Sequence, residues 1–179
     1  MTAGVPAAPD VNAGLARRLA SLVYETLIVA AIVLAAGFAL TPLMSPSASL
    51  DGVPILPGTG RRTAGLLAMA SVLGAYFVWC WTAGRRTLPM KTWRLRLVDP
   101  TGAPPARARA IARYAAAWIG PAIAVAAYAA THSRLAWLAL AIGYAWSLVD
   151  PDRLFLHDRI AGTRIVHDLP GPRPTAGMP

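Results

Sequence analysis

The chain has 179 residues, of which 56% are apolar and 14% are charged, whereas soluble domains are roughly 25% charged. This length suits one domain, and the shortage of charge excludes an ordinary soluble one. The net charge is +9, from 17 basic and 8 acidic residues, which is typical of proteins that bind nucleic acid or an anionic membrane surface. Because most basic residues lie between apolar runs, we expect anionic lipid headgroups as the partner and no nucleic acid.

The chain begins and ends with short tails, at residues 1–13 and 169–179, whose content of Ala, Pro and Gly predicts disorder. The first apolar run, Leu19 to Leu40, is long enough at about 1.5 Å per residue to cross a hydrocarbon core of roughly 30 Å. A signal peptide is the alternative, but its apolar core would be shorter and would carry no acid. Residues 14–168 therefore form a predicted membrane domain, with helices at about 18–41, 64–83, 112–130 and 135–149.

The third and fourth apolar runs are short for full crossings, and Pro121 predicts a kink in the third. They are either two spans or one short hairpin, and both alternatives return the chain to the same side. The fold class is thus an all-α membrane protein, a bundle of about four transmembrane helices.

A polar segment between the second and third runs contains "WRLRLVD", Trp93 to Asp99, whose alternation predicts a strand. The turn "DPTG" follows it. The late segment "TRIV" is expected to pair with this strand as a small cytoplasmic β-ribbon, after a turn at Gly162.

The distribution of Lys and Arg predicts the orientation of the bundle. Fourteen of the seventeen lie in the N-terminal segment, the central loop and the C-terminal segment, and three lie in the other two connections. Since cytoplasmic loops are enriched in Lys and Arg, both termini are expected in the cytoplasm, and the membrane would be the bacterial inner membrane.

Glu25 is the acid that needs an explanation, because it lies inside the first apolar run. Placing an acid near the bilayer centre costs on the order of 3 kcal/mol, so Glu25 is expected to face the bundle interior and to be matched with a guanidinium. Arg18, seven residues earlier, shares its helix face and lies about 10 Å away along the axis. The carboxylate is either a proton or cation site, or a group that locks helices together by hydrogen bonds.

Asp158 lies beyond the last apolar run, at a membrane depth where it can meet Arg18. The adjacent His157 is predicted to be a surface or interfacial residue, because its spacing to other ligand types fits no metal pattern. We therefore predict a charged cluster of Arg18, Glu25 and Asp158, with Arg17 and His157 as secondary members. No metal or other cofactor is expected.

Three segments resemble the RDD family of membrane proteins: "RRLASLVYE", "TLPMKTWRLRLVDPTGAPPARARAIARY" and "LHDRIAGTRIV". The resemblance covers about residues 14–168. The family is named for one arginine and two aspartates, and the resemblance implies that Arg18, or its neighbour Arg17, is the arginine and Asp158 the second aspartate. The first aspartate falls on Glu25, which keeps the charge and is longer by one methylene group. The family is generally suggested to take part in transport.

Two functions are consistent with these residues. In the first, the chain is a small transporter or an ion or proton exchange component that uses the Arg–acid cluster, and its short length implies a homo-oligomer. In the second, it is a scaffold or assembly factor that does not transport, and the same charges brace the helices. An enzyme is not expected, because the sequence has no nucleophile elbow, phosphate loop or metal motif.

Overall fold

Seven α-helices, two 3₁₀ helices and four short strands occur in residues 13–44, 49–50, 53–54 and 58–168, the part of the chain that the computed structural model describes. The predicted tails lie outside these residues, except for Ala13. The α-helices are α1 (Leu15–Met44), α2 (Thr59–Trp81), α3 (Leu88–Thr92), α4 (Arg107–Ala117), α5 (Ile119–Thr131), α6 (Ile142–Ala145) and α7 (Leu156–Ala161). The 3₁₀ helices are Arg134–Ala141 and Trp146–Leu148, and the strands are β1 (Ser49–Leu50), β2 (Val53–Pro54), β3 (Leu95–Val98) and β4 (Arg164–His167).

Three helical segments within the described residues are long and apolar enough to cross a membrane: Leu15–Thr41, Thr59–Trp81 and Arg107–Thr131. A fourth apolar segment, Arg134–Leu148, is shorter and mostly 3₁₀ in character. It packs against α5, so the last two runs lie side by side, as both predicted alternatives require. The predicted fold class, an all-α membrane protein with a small ribbon, is confirmed.

The third span is interrupted close to the predicted position. Helix α4 ends at Ala117 and α5 begins at Ile119, because Pro121 has no N–H with which to bond the carbonyl of Ala117. One turn later the chain comes unusually close to the returning 3₁₀ helix. A Cβ added at Gly120 would lie 3.1 Å from the backbone oxygen of Ala139, so a larger residue would push the two segments apart by a few tenths of an ångström.

The predicted ribbon is present, because β3 and β4 pair antiparallel with Leu95 opposite His167 and Val98 opposite Arg164. Gly162, with φ of 60°, makes the predicted turn between α7 and β4. The amide of Ala13 donates to the carbonyl of Ile165 at 3.0 Å and so attaches the start of α1 to the same ribbon. The beginning, middle and end of the chain therefore meet at one end of the bundle, which we call the ribbon end.

Burial within the described residues is greatest at the ribbon end. Leu95, Ala110 and Val166 are fully buried, and Trp81 and Met90 of the preceding helices pack with them. The windows of α1 and α2 that could cross a membrane are only 6% buried. This pattern suits helices whose outer faces contact lipid, while the packed core fixes their ends.

Candidate functional site

Asp158 is the most deeply buried charged residue of the ribbon end, with no exposed surface. Its carboxylate forms an ion pair with the guanidinium of Arg113, whose side chain is also buried. Arg113 further donates from Nη1 to the hydroxyl of Thr163 at 3.1 Å and lies 4.8 Å from the centre of the Trp81 ring. These contacts join α4 to α7 and to the residue that precedes β4.

The predicted pairing of Asp158 with Arg18 is wrong, because the cation that Asp158 contacts is Arg113. Helix α4 packs directly on α7, and Arg109 and Arg113, four residues apart, share the α4 face that meets it. Arg109 donates to the carbonyl of Gly162 at 3.0 Å, at the end of α7. Asp158 is thus reached by α4 and not by α1.

Arg18 is buried, with 3% of its surface exposed, and it uses different partners. It donates from Nη2 to the backbone carbonyl of Arg153, and its guanidinium lies 4.7 Å from the centre of the Phe155 ring. Arg17 is exposed, and no side-chain partner is found for it in the described part of the chain. Of the two candidates for the family arginine, Arg18 is therefore the one built into the fold.

Glu25 is half-buried and is held by two hydroxyl groups. Tyr76 of α2 donates to its Oε1 at 3.2 Å, and Thr87, just before α3, donates to its Oε2 at 2.7 Å. No basic nitrogen lies within 4.0 Å of its carboxylate among the residues described. Glu25 therefore has a partner on another helix, but the prediction that this partner is a guanidinium is wrong, because both close partners are neutral hydroxyls. The guanidinium of Arg113 acts on Glu25 only as a more distant charge.

His157 is buried, so its prediction as a surface or interfacial residue is wrong. Its ring lies 5.9 Å from that of Tyr144 and 5.6 Å from that of Phe155, and Nε2 is 3.8 Å from Oδ1 of Asp158. Helix α7 turns it inward beside Asp158. No group of three or more His, Cys, Asp or Glu side chains that could hold a metal occurs in the residues that the structure describes.

A cavity of about 370 Å³ lies between α1, α2, α4 and α7 at the ribbon end. Arg18, Glu25, Arg113 and His157 contribute to its wall, and most of the remaining wall is apolar. The structure therefore brings two members of the predicted cluster, Arg18 and Glu25, to one cavity. Asp158 lies behind its partner Arg113, outside the set of lining residues.

The residues that sequence reasoning missed are the partners rather than the acids. Arg113 belongs to the central loop whose basic residues predict the orientation, and no partner is predicted for it. It follows Arg109 by one helical turn at the start of an apolar run. That spacing was a usable signal. Tyr76 and Thr87 gave no comparable signal, because hydroxyl residues are common and these two approach Glu25 only through the packing of α1 on α2 and α3.

We predict that Asp158→Asn strongly destabilises the protein, because it leaves the buried guanidinium of Arg113 without its counter-ion. Breaking a buried pair in this way typically costs about 3–5 kcal/mol. The measurement is unfolding in detergent micelles followed by tryptophan fluorescence. Asp152→Asn is the matched control, since Asp152 pairs with Arg159 where both side chains are about half exposed, and it should change little. Equal stability of the two variants would contradict the assignment.

A second prediction concerns acid sensitivity. Burial lowers the pKa of the His157 imidazole well below 6.5, and the charges of Arg113 and Arg18 lower it further. The unfolded chain takes up a proton here as pH falls through about 6.5, while the folded chain does not. Because the unfolded state then binds more protons, the free energy of unfolding should fall as the pH falls from about 7 to 5.

Thermal unfolding measured across this pH range tests the prediction. His157→Gln should reduce the loss of stability on acidification, whereas His132→Asn, at an exposed turn, should leave it unchanged. An unchanged pH dependence in His157→Gln would show that another group is responsible.

Comparison with known proteins gives one match. A sequence model of the RDD family matches residues 12–162, which is most of the chain and includes Arg18, Glu25 and Asp158. No curated protein and no solved structure was found to match. The resemblance predicted from the sequence is confirmed by this match. The chain belongs to the RDD family of membrane proteins.

Proposed function

We propose that this chain is a small membrane transport component in which Glu25 takes up and releases a proton or a cation at the cavity. The observation that carries the proposal is the hydrogen bonding of the Glu25 carboxylate. Its two oxygens accept from Tyr76 and Thr87, and it lies on a cavity wall inside a helix long enough to span the membrane. An ionisable group in such a position is usually part of a pathway for ions or protons.

The contrast between Glu25 and Asp158 supports this role. Asp158 is fully enclosed and is fixed by the charge of Arg113, so a proton or cation has no route to it without breaking the pair. Glu25 is half-buried, and both of its close partners are hydroxyls, which can accept as well as donate. These hydroxyls can therefore reorient when the carboxylate changes its charge.

A second candidate function is that of a scaffold without transport. The observation that favours it is the Arg113–Asp158 pair, because this pair braces α4 against α7 and needs no solute. In that case Glu25 would only connect α1 to α2 through Tyr76. The two functions differ in whether charge crosses the membrane.

We expect purified protein in liposomes to exchange protons for a cation when a gradient of that cation is imposed. Glu25→Gln should abolish most of this proton flux. The amide has nearly the same shape and can still accept from Thr87, so folding should survive while proton exchange is lost. A pH-sensitive dye inside the liposomes gives the rate, with Na⁺ and K⁺ tested in turn.

Two variants make this experiment decisive. Glu25→Asp keeps the carboxylate and introduces the residue of the family pattern, so it should retain flux. Asp152→Asn removes an exposed acid outside the cavity and should behave as wild type. Absence of flux in folded wild-type protein for every cation tested would favour the scaffold.

We further propose that the protein lies in a bacterial inner membrane with the ribbon end in the cytoplasm. The support is that thirteen of the sixteen basic residues that the structure describes lie in segments that belong to the ribbon end or adjoin it, where they can contact anionic headgroups. In a Cys80→Ala background, an impermeant maleimide applied to intact cells should label Thr59→Cys. It should not label Thr101→Cys until the cells are opened, and the reverse pattern would refute this orientation.

A further inference from the structure

The guanidinium of Arg18 is the most incompletely satisfied cation on the cavity wall. Only 3% of the residue is exposed, yet its Nε and Nη1 have no hydrogen-bond partner within the described residues. One nitrogen, Nη2, donates to the carbonyl of Arg153. Burying a charged donor without an acceptor has a large free-energy cost, because the hydrogen bonds to water are lost. A ligand that accepts from this group would reduce that cost.

The surrounding acids do not supply the missing acceptor. The carboxylate of Asp150 is already bound by the backbone amides of Leu154 at 3.0 Å and Asp152 at 3.1 Å. Glu25 lies seven residues along α1, about 10 Å away along the axis, and is held by hydroxyls. Asp158 is paired with Arg113. The charge of Asp150 acts on Arg18 from a distance, but among the described residues no carboxylate contacts its guanidinium.

A second guanidinium, that of Arg113, lies on the same wall and is paired with Asp158. Arg113 also lines the cavity, its Nε has no hydrogen-bond partner in the described part of the chain, and its charge repels that of Arg18. The lining residues carry these two guanidinia and one carboxylate, Glu25, and burial keeps His157 neutral. Because Asp158 behind the wall neutralises Arg113, the positive group left to a ligand is the guanidinium of Arg18, which suits one singly charged anion.

We propose that this cavity binds the head of an anionic amphiphile, a carboxylate on an unbranched apolar chain, through the guanidinium of Arg18. The carboxylate accepts from the free nitrogens of Arg18, because charge-assisted bonds to a guanidinium are among the strongest in proteins. The apolar chain lies against Leu22, Phe77 and Trp81. A volume of about 370 Å³ falls within the roughly 300–1,000 Å³ of small-molecule sites and accommodates the head and the first part of the chain.

The apolar wall selects this ligand over an inorganic anion. A phosphate or chloride ion would leave most of the cavity lined by apolar surface that it cannot contact favourably. A neutral alcohol of the same length would fill the space but leave the guanidinium of Arg18 without a charged acceptor. The ligand therefore needs both the charge and the chain.

This binding goes beyond the proposed exchange at Glu25 and does not require it. Glu25→Gln leaves Arg18 in place and removes a negative charge from the cavity wall, so it should bind the anion at least as tightly as wild type does. Loss of flux together with retained binding in Glu25→Gln would support both proposals. Binding without any flux would support this one alone.

The test is isothermal titration of decanoate into the protein in nanodiscs of neutral lipid, with the signal of empty nanodiscs subtracted. Decanol and acetate are the comparison ligands, because each has one of the two required parts. We expect saturable binding of decanoate and at least about tenfold weaker binding of both others. Arg18→Gln should weaken decanoate binding by about tenfold or more, as expected for losing a bond between charged groups. Arg17→Gln, which removes the exposed neighbouring charge, should have no effect.

Leu22→Trp keeps both guanidinia and fills the cavity, so it should also block decanoate even if Arg18→Gln folds poorly. Equal binding of decanol and decanoate would overturn the proposal in favour of simple apolar partitioning. Equal binding of acetate would overturn it in favour of a site for small anions that does not need the apolar chain. Undiminished decanoate binding in both Arg18→Gln and Leu22→Trp would place the ligand elsewhere.

Discussion

The ion pair between Arg113 and Asp158 is the interaction on which the arrangement of the ribbon end depends. Both side chains are withdrawn from solvent, so each makes the burial of the other tolerable, and neither can be lost alone without a large cost. The pair fixes α7 on α4. Because β4 follows α7 after a single turn at Gly162, the same contact sets where β4 meets β3.

The position of the first helix follows from this arrangement. Ala13 bonds to Ile165 in β4, and Arg18 bonds to the carbonyl of Arg153 just before α7. Two points near the start of α1 are thus attached to the C-terminal segment, and the helix is directed from there past the cavity. Glu25 then lies beside Tyr76 and Thr87. A buried, paired acid thus supports the ribbon end, and the acid on the cavity wall is held by two hydroxyls.

Much of this fold is predictable from the sequence, and the failures have physical causes. The apolar runs predict the spans, and the alternation in Trp93 to Asp99 predicts a strand. The apolar residues of "TRIV" then indicate the segment that pairs with it. Local pattern does not determine which arginine reaches a buried acid, because that depends on how α4 packs on α7. Arg113 was therefore overlooked, and Arg18 was given its role. The burial of His157 depends on the same packing of helices. The strands β1 and β2 have two residues each and are too short to show a periodicity.

The burial of both Arg113 and Asp158 has a consequence for the order of biosynthesis. Arg113 is synthesised before Asp158, because the two residues are 45 positions apart. During that interval the guanidinium of Arg113 has no counter-ion, and Ala13 has no strand to join. The helices can enter the bilayer one after another, but the assembly closes only when the last segment of the chain is translated. A product that ends before Asp158 consequently keeps Arg113 without its counter-ion and cannot close the ribbon end.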